Sequence, residues 1–170
     1  MPAGLSTRPT PDRVREALFN ILGRSVLDSR FLDLFAGSGA VGIEALSRGA
    51  ASVALVESGR DALRALEKNV AALGLAGRAH VVAAPWPRSL PRAAAVVGPF
   101  TIVFADPPFL EARYEAILRS LCAAGILGPD PTVILEHESR TAIPDRTADL
   151  MRFRVVEYGR VALGFFRRSE

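Results

Sequence analysis

The chain has 170 residues, a length that fits one domain, and 49% of them are hydrophobic, enough for a sizeable core. No apolar run reaches the roughly 18 residues of a membrane span, and Met1-Pro2-Ala3-Gly4 opens no signal-peptide core, so a cytoplasmic protein is expected. The net charge of +3 sets 21 basic residues, nearly all arginine, against 18 acidic ones, a mild excess compatible with a phosphate-rich partner.

Thr10-Pro11-Asp12 reads as a helix start, with Thr10 as N-cap and Pro11 in the first turn. Val14, Ala17, Leu18, Ile21 and Leu22 give that helix one apolar face, and Gly23 stops it. Five apolar runs follow, over 31–35, 52–56, 80–83, 101–105 and 132–135. Helix-like stretches separate them, over 40–47, 60–73, a proline-broken 86–95 and 112–123. This alternation predicts an α/β fold, a mostly parallel sheet with helices on both faces. The tail differs: 153–158 and 161–167 are strand-like and joined by Gly159-Arg160, a β-hairpin. The expected count is seven strands, one of them antiparallel. Cys122, the single cysteine, excludes an internal disulfide and a cysteine metal cluster. It lies in a helical apolar pattern and reads as core packing. His80 and His137 stand apart without a motif and read as structural or surface residues.

Ligands of such sheets bind beyond the carboxyl ends of the strands. The first apolar run leads there into Asp33-Leu34-Phe35-Ala36-Gly37-Ser38-Gly39, a strand entering a glycine turn. Gly37 and Gly39 let backbone approach a ligand with no Cβ between. Gly42 lets the next helix pack closely on the strand. Glu57 ends the second run, where an acid accepts hydrogen bonds from the hydroxyls of a ribose. The Gly-x-Gly-x-x-Gly spacing alone does not separate NAD from S-adenosylmethionine. Two features favour the latter. Asp33 suits a cationic methionine end better than a diphosphate, and a helical arm of about 30 residues precedes the first strand, where a dinucleotide domain usually begins.

The fourth run ends in Asp106-Pro107-Pro108-Phe109, suited to holding a planar amine. A nucleobase amino group is a poor nucleophile because its lone pair is delocalised into the ring. Asp106 can accept one amine hydrogen and the Pro107 carbonyl the other. The prolines fix φ and aim that carbonyl in advance, and Phe109 can stack on the ring. As the methyl transfers, nitrogen becomes positive and the carboxylate stabilises it; no metal is needed. In-line placement is the main demand on the protein.

Several stretches together resemble the RsmD-type small-subunit ribosomal RNA guanine-N2 methyltransferases. They are Arg8-Pro9-Thr10, the string Asp12 to Asn20, Asp33 to Gly49, Asp106 to Phe109 and the closing Tyr158-Gly159 hairpin. The resemblance covers nearly the whole chain, and the N-terminal string is its most specific part. It implies a Rossmann-like class I methyltransferase fold of seven strands, spanning 1–170 as one domain with 1–27 as an arm and helix before the sheet. It implies S-adenosyl-L-methionine as cofactor and one guanine N2 of 16S rRNA, in the small subunit or an assembly intermediate, as target. Carried over by position, Asp33, Phe35, Ala36, Gly37, Ser38, Gly39 and Glu57 hold the cofactor, and Asp106 to Phe109 hold the base. Arg8, Thr10, Arg13 and Arg15 fall on the RNA side, where guanidinium groups suit phosphates. For Arg8, Arg13 and Arg15 the competing reading is a solvated helix face, or pairing with Asp12 and Glu16. Arg167 and Arg168 read as a solvated end.

Two departures stand out. Members usually carry a basic, glycine-containing segment ahead of Arg8, which only seven residues precede here. Members also often place Asp or Asn shortly after the third strand, against the adenine amine; this chain reads Ala83-Ala84-Pro85-Trp86. Trp86, through its backbone N–H or ring, is the candidate replacement. The rival readings are an adenine-N6 methyltransferase, an NAD-dependent oxidoreductase and a non-catalytic ribosome assembly factor. A monomer is expected, since no heptad or spare apolar face stands out.

Overall fold

The computed structural model describes residues 11–108 and 113–169. The order is α1 (Asp12–Leu22), a 3₁₀ turn (Gly23–Val26), β1 (Arg30–Leu34), α2 (Ala40–Ser47), β2 (Ser52–Glu57), α3 (Arg60–Ala72), β3 (Ala79–Ala83), α4 (Ser89–Val96) and β4 (Phe100–Ala105). Then come α5 (Tyr114–Ala123), β5 (Leu127–Glu138), β6 (Arg146–Thr147), β7 (Leu150–Tyr158) and β8 (Val161–Arg168).

One eight-stranded sheet runs β3-β2-β1-β4-β5-β8-β7-β6. The first five strands are mutually parallel, while β8 pairs antiparallel with both β5 and β7. The strand total is thus eight rather than the expected seven, because β6 adds two residues against Met151 and Leu150. Beyond Arg152, β7 carries no further strand on its outer side among the described residues.

The apolar runs form strands because both faces are covered. In β1, Phe31, Leu32, Asp33 and Leu34 are all buried, the pattern of a strand sandwiched between helices. One face packs Phe31, Val53, Leu55, Ile102, Phe104 and Ile134 against α1, α2 and α3. The other packs Leu32, Val56, Val103, Val133 and Leu135 against α4 and α5. Helix α1 buries Val14, Leu18, Phe19 and Leu22, the stripe that its 3.6-residue period sets. It stops where Gly23 turns to φ +52, a conformation costly for any residue with a Cβ. Pro11 is the N-cap residue of α1, one place outside the first turn expected for it, and Thr10 lies outside the described residues. Gly159, at φ +66, opens the two-residue β7–β8 loop, where a tight hairpin needs a glycine-compatible angle.

Cys122 is half-buried against the α4–α5 core. His137 is buried with its ring edge-on to Tyr114 at 5.9 Å, and its Nδ1 donates to the Glu138 carbonyl at 2.9 Å. Among the described residues, no helix is long and apolar enough to cross a membrane.

Phe104 is fully buried in the middle of the sheet, whereas Leu73 is an exposed apolar residue just past α3. Phe104→Ala should cost about 3–5 kcal/mol of stability, and Leu73→Ala should stay within about 0.5 kcal/mol. Urea unfolding of the two variants, read by circular dichroism, checks the contrast.

Candidate active site

The sheet order reverses between β1 and β4, and this switch point is where an open α/β sheet opens a crevice. Both sequence motifs end there. Leu34 pairs with Ala105, so the glycine loop leaving β1 and the Asp106-Pro107-Pro108 turn leaving β4 emerge side by side. The Asp106 N–H reaches back to the Leu34 carbonyl at 3.4 Å. Asp106 is half-buried, Pro107 buried and Pro108 exposed; Phe109 lies outside the described residues.

The loop from Phe35 to Gly39 is tied on several sides. Phe35 sits at φ +72, an uncommon angle for a residue with a side chain. The Ala36 N–H donates to the Val56 carbonyl at 2.8 Å and the Gly39 N–H to the Ala36 carbonyl at 2.8 Å. The Asn69 side-chain amide donates to the Ser38 carbonyl at 3.0 Å. Gly37 adopts φ +56, and a Cβ placed on it would project into open space, the space a ligand laid on this loop would fill. Gly42 is tight instead: a Cβ there would stand 2.4 Å from Leu55 Cδ2 and 2.9 Å from Val53 Cγ1. The close packing of α2 on β1 and β2 thus needs glycine at this position.

Asp33 is fully enclosed, with Oδ2 accepting the Gly42 N–H at 2.8 Å. Burial pushes its carboxyl up to about 7; the Gly42 hydrogen bond opposes the rise, and the charges of Glu57 and Glu136 add to it. No arginine or lysine of the described residues pairs with it. Glu136, buried near the end of β5, is a member of this acidic group that the sequence reading missed. Its position at a strand's carboxyl end, like that of Glu57, was the available signal. A buried carboxylate such as Asp33, with no basic side chain of the described residues paired to it, suits a ligand with a positive end and repels a diphosphate.

Glu57 already has work in the protein. Its Oε2 accepts the Gly37 N–H at 2.8 Å, and Oε1 accepts the N–H groups of Ser58 at 2.8 Å and Gly59 at 2.7 Å. Of the roughly four acceptor sites of a carboxylate, about one is left. Holding both hydroxyls of a ribose, as the sequence suggested, therefore requires an amide to yield or to share an oxygen.

Trp86 lies on the other side of the crevice. Its indole N–H donates to Ser120 Oγ at 2.9 Å, and its ring stands 6.4 Å from that of Phe35. The indole N–H is thus committed, leaving the ring and backbone N–H for a ligand. Between these parts is a cavity of about 140 Å³, lined by Phe35, Trp86, Pro107, Pro108, Arg113 and Ile117 among others. That is well below the roughly 300 Å³ at which drug-sized ligand pockets begin and suits one planar ring.

The arginines of the entry arm divide. Arg15 Nε lies 2.5 Å from Glu44 and its NH2 2.9 Å from Asp12. Glu44 also holds Arg48, so this cluster fastens α1 to α2. The ion-pair reading therefore describes Arg15, although its carboxylate on α2 is Glu44 and not Glu16. Arg13 is exposed and uncommitted among the described residues, and Arg8 lies outside them. At the tail, Arg168 is engaged with Asp149 and the Leu127 and Gly128 carbonyls, while Arg167 lies over the Phe153 ring at 5.4 Å. Neither is simply a solvated end.

The family model described as conserved hypothetical protein 95 matches residues 1–167. Ribosomal RNA small subunit methyltransferase D of Escherichia coli K12 is 39% identical over 169 residues, covering 99% of this chain and 83% of the relative. The chain belongs to the ribosomal RNA small subunit methyltransferase D family. Its Haemophilus influenzae relative of that name is 32% identical, covering 88% of this chain and 82% of the relative. A solved Streptococcus pyogenes structure, described as a conserved hypothetical protein, superposes with a TM-score of 0.81 at 30% identity. It covers 91% of this chain and 95% of that one.

The acidic strand end carries a stability cost in this chain. The ordinary carboxyl value is 3.8 and the folded value about 7, so folding favours the protonated acid. Below pH 4 Asp33 imposes no charge penalty. The penalty grows between pH 4 and 7 and is complete above it, at roughly 4 kcal/mol. Asp33→Asn keeps an acceptor for Gly42 and removes the charge, so it should melt higher than the unmutated chain at pH 8 and no higher at pH 4. Equal melting shifts at both values would remove the case for a strained carboxylate.

Proposed function

We propose that this chain moves a methyl group from S-adenosylmethionine to the exocyclic N2 of a guanine in 16S rRNA. The substrate would be the small subunit or an assembly intermediate, and the enzyme would work as a monomer in the cytoplasm. The observation that carries the reading is the pairing of β1 with β4, which sets Asp106 beside the Phe35–Gly39 loop at the sheet's switch point.

In this reading the glycine loop and Glu57 hold the nucleoside part of the donor, and Asp33 and its acidic neighbours favour the cationic methionine end. The bound donor supplies an electrophilic methyl on a sulfonium and leaves as a neutral thioether. Asp106 and the Pro107 carbonyl take the two amine hydrogens, which turns the nitrogen lone pair toward the incoming carbon. The N–C bond forms as the C–S bond breaks. The nitrogen becomes cationic, and the Asp106 carboxylate stabilises that charge and accepts the surplus proton or passes it to water. A guanine in folded RNA reaches Asp106 only when splayed from its stack. Assembled ribosomal proteins would supply that presentation to a small enzyme.

The test is transfer of labelled methyl to small subunits from cells lacking this protein, with the labelled nucleoside identified. Label in N2-methylguanosine, reduced at least about 100-fold by Asp106→Ala, is expected. Label in N6-methyladenosine would replace the substrate assignment, no label despite cofactor binding would point to another substrate, and no cofactor binding would favour an assembly factor. Affinity for S-adenosylhomocysteine should rise from pH 6 to pH 8 as Asp33 loses its proton, measured by calorimetry; a flat profile would detach Asp33 from the cofactor.

For the RNA side, Arg13→Ala should lower the slope of log affinity against log salt by about 1. Arg15→Ala should leave the slope and lower the melting temperature, since its ion pairs join two helices. Filter-binding titrations between low and moderate salt separate the two.

A further inference from the structure

On the methyl-transfer reading the Asp106 crevice takes an amine, and guanine and adenine both offer one. Something else must tell the bases apart. The 140 Å³ cavity has one charged residue among those that line it, Arg113. The other lining residues are aromatic, proline or aliphatic, and they can hold a ring by its faces without reading its edges.

Arg113 is exposed, placed by the backbone and uncommitted at its head among the described residues. It is the N-cap residue of α5, at φ −106 and ψ 53. Its carbonyl accepts the Ile117 N–H at 2.9 Å, which fixes its main chain at the cavity rim. The guanidinium itself makes no hydrogen bond or ion pair with the described residues, unlike Arg119 six residues further on, which is held by Glu115. A free fork of donors facing a cavity is complementary to a pair of adjacent acceptors.

Guanine presents such a pair. With N2 held at Asp106, the edge bearing O6 and N7 lies across the ring, and both are acceptors. Adenine with its N6 at Asp106 presents N3 as the acceptor remote from the amine, one atom for a two-pronged donor. Adenine turned to offer N7 brings a donor, N6, against the guanidinium. We propose that Arg113 reads the O6/N7 edge of the target guanine and is this chain's determinant of guanine over adenine. The inference rests on the methyl-transfer reading above and names the base-reading residue of that same site.

The experiment pairs a protein variant with a substrate variant. Once the methylated nucleotide has been mapped, small subunits are prepared with guanosine or 7-deazaguanosine at that nucleotide alone, the latter lacking the N7 acceptor. Arg113→Ala should lower kcat/KM on guanosine by about 5- to 150-fold, the range of one bidentate base contact. On 7-deazaguanosine the unmutated enzyme should fall, and Arg113→Ala should fall little further, because the contact is already broken. Arg113→Lys keeps the charge and loses the fork, so it should recover only part of the loss. S-adenosylhomocysteine affinity and melting temperature should be unchanged in both variants, which excludes a folding or cofactor effect. Equal losses on the two substrates with full rescue by lysine would overturn the inference in favour of a phosphate contact. Full activity of Arg113→Ala on guanosine would overturn it outright and leave the methyl-transfer reading intact, whereas an unmutated chain that methylates no guanine fails at the earlier step and takes this inference with it.

Discussion

The pairing of β1 with β4 is the constraint from which the site follows. About seventy residues separate Phe35 from Asp106, and each belongs to a turn with no intrinsic reason to meet the other. Backbone hydrogen bonding between two buried strands brings them together, and the register of Leu34 with Ala105 sets how far each turn projects. The parallel direction matters as much as the register, since it sends both chains out of the sheet on the same edge. The helices on the two faces then hold the strands in place and leave that edge uncovered.

The same edge concentrates groups that oppose folding. Glu57 and Glu136 stand close enough to Asp33 to act on its carboxyl, and Asp33 and Glu136 are buried. Phe35 holds an unfavourable backbone angle. A core built for stability alone would place apolar side chains at these strand ends, as it does one residue earlier in β4 with Phe104. The apolar area on both faces of the sheet offsets the cost. A ligand bearing positive charge would relieve part of the repulsion, so binding energy is available from strain already present in the folded chain.

Much of this was legible in the sequence because it rests on local rules. The five parallel strands, the hairpin at Gly159 and the stop at Gly23 each follow from apolar runs and from positions that require glycine. The two motifs were visible as turns after strands. The rest depends on partners distant in the chain. Strand β5 begins at Leu127, five residues before the apolar run that announced it, because Pro129 and Pro131 sit where its register against β4 shifts, between Phe100 and Ile102. Arg15 meets Glu44, 29 residues on, through the packing of α1 on α2. Glu57 was readable as an acid at a strand end, but not as the acceptor that ties down Gly37, Ser58 and Gly59. Those contacts depend on how two turns lie in space.

The short β6 has a consequence at the opposite end of the sheet. It shields only the first residues of β7, so the strand beyond Arg152 presents its outer backbone as a rim on which a foreign chain can extend the sheet. Two things discourage self-association there. The exposed Arg154 sets like charges against each other whenever two copies approach, and the register slip between Arg152 and Arg154 breaks the even spacing that a new strand must match. The rim is guarded by charge and irregularity where a longer β6 would have guarded it by coverage. Colloidal behaviour of this chain is therefore tied to arginines remote from any chemistry, and it weakens as salt screens them.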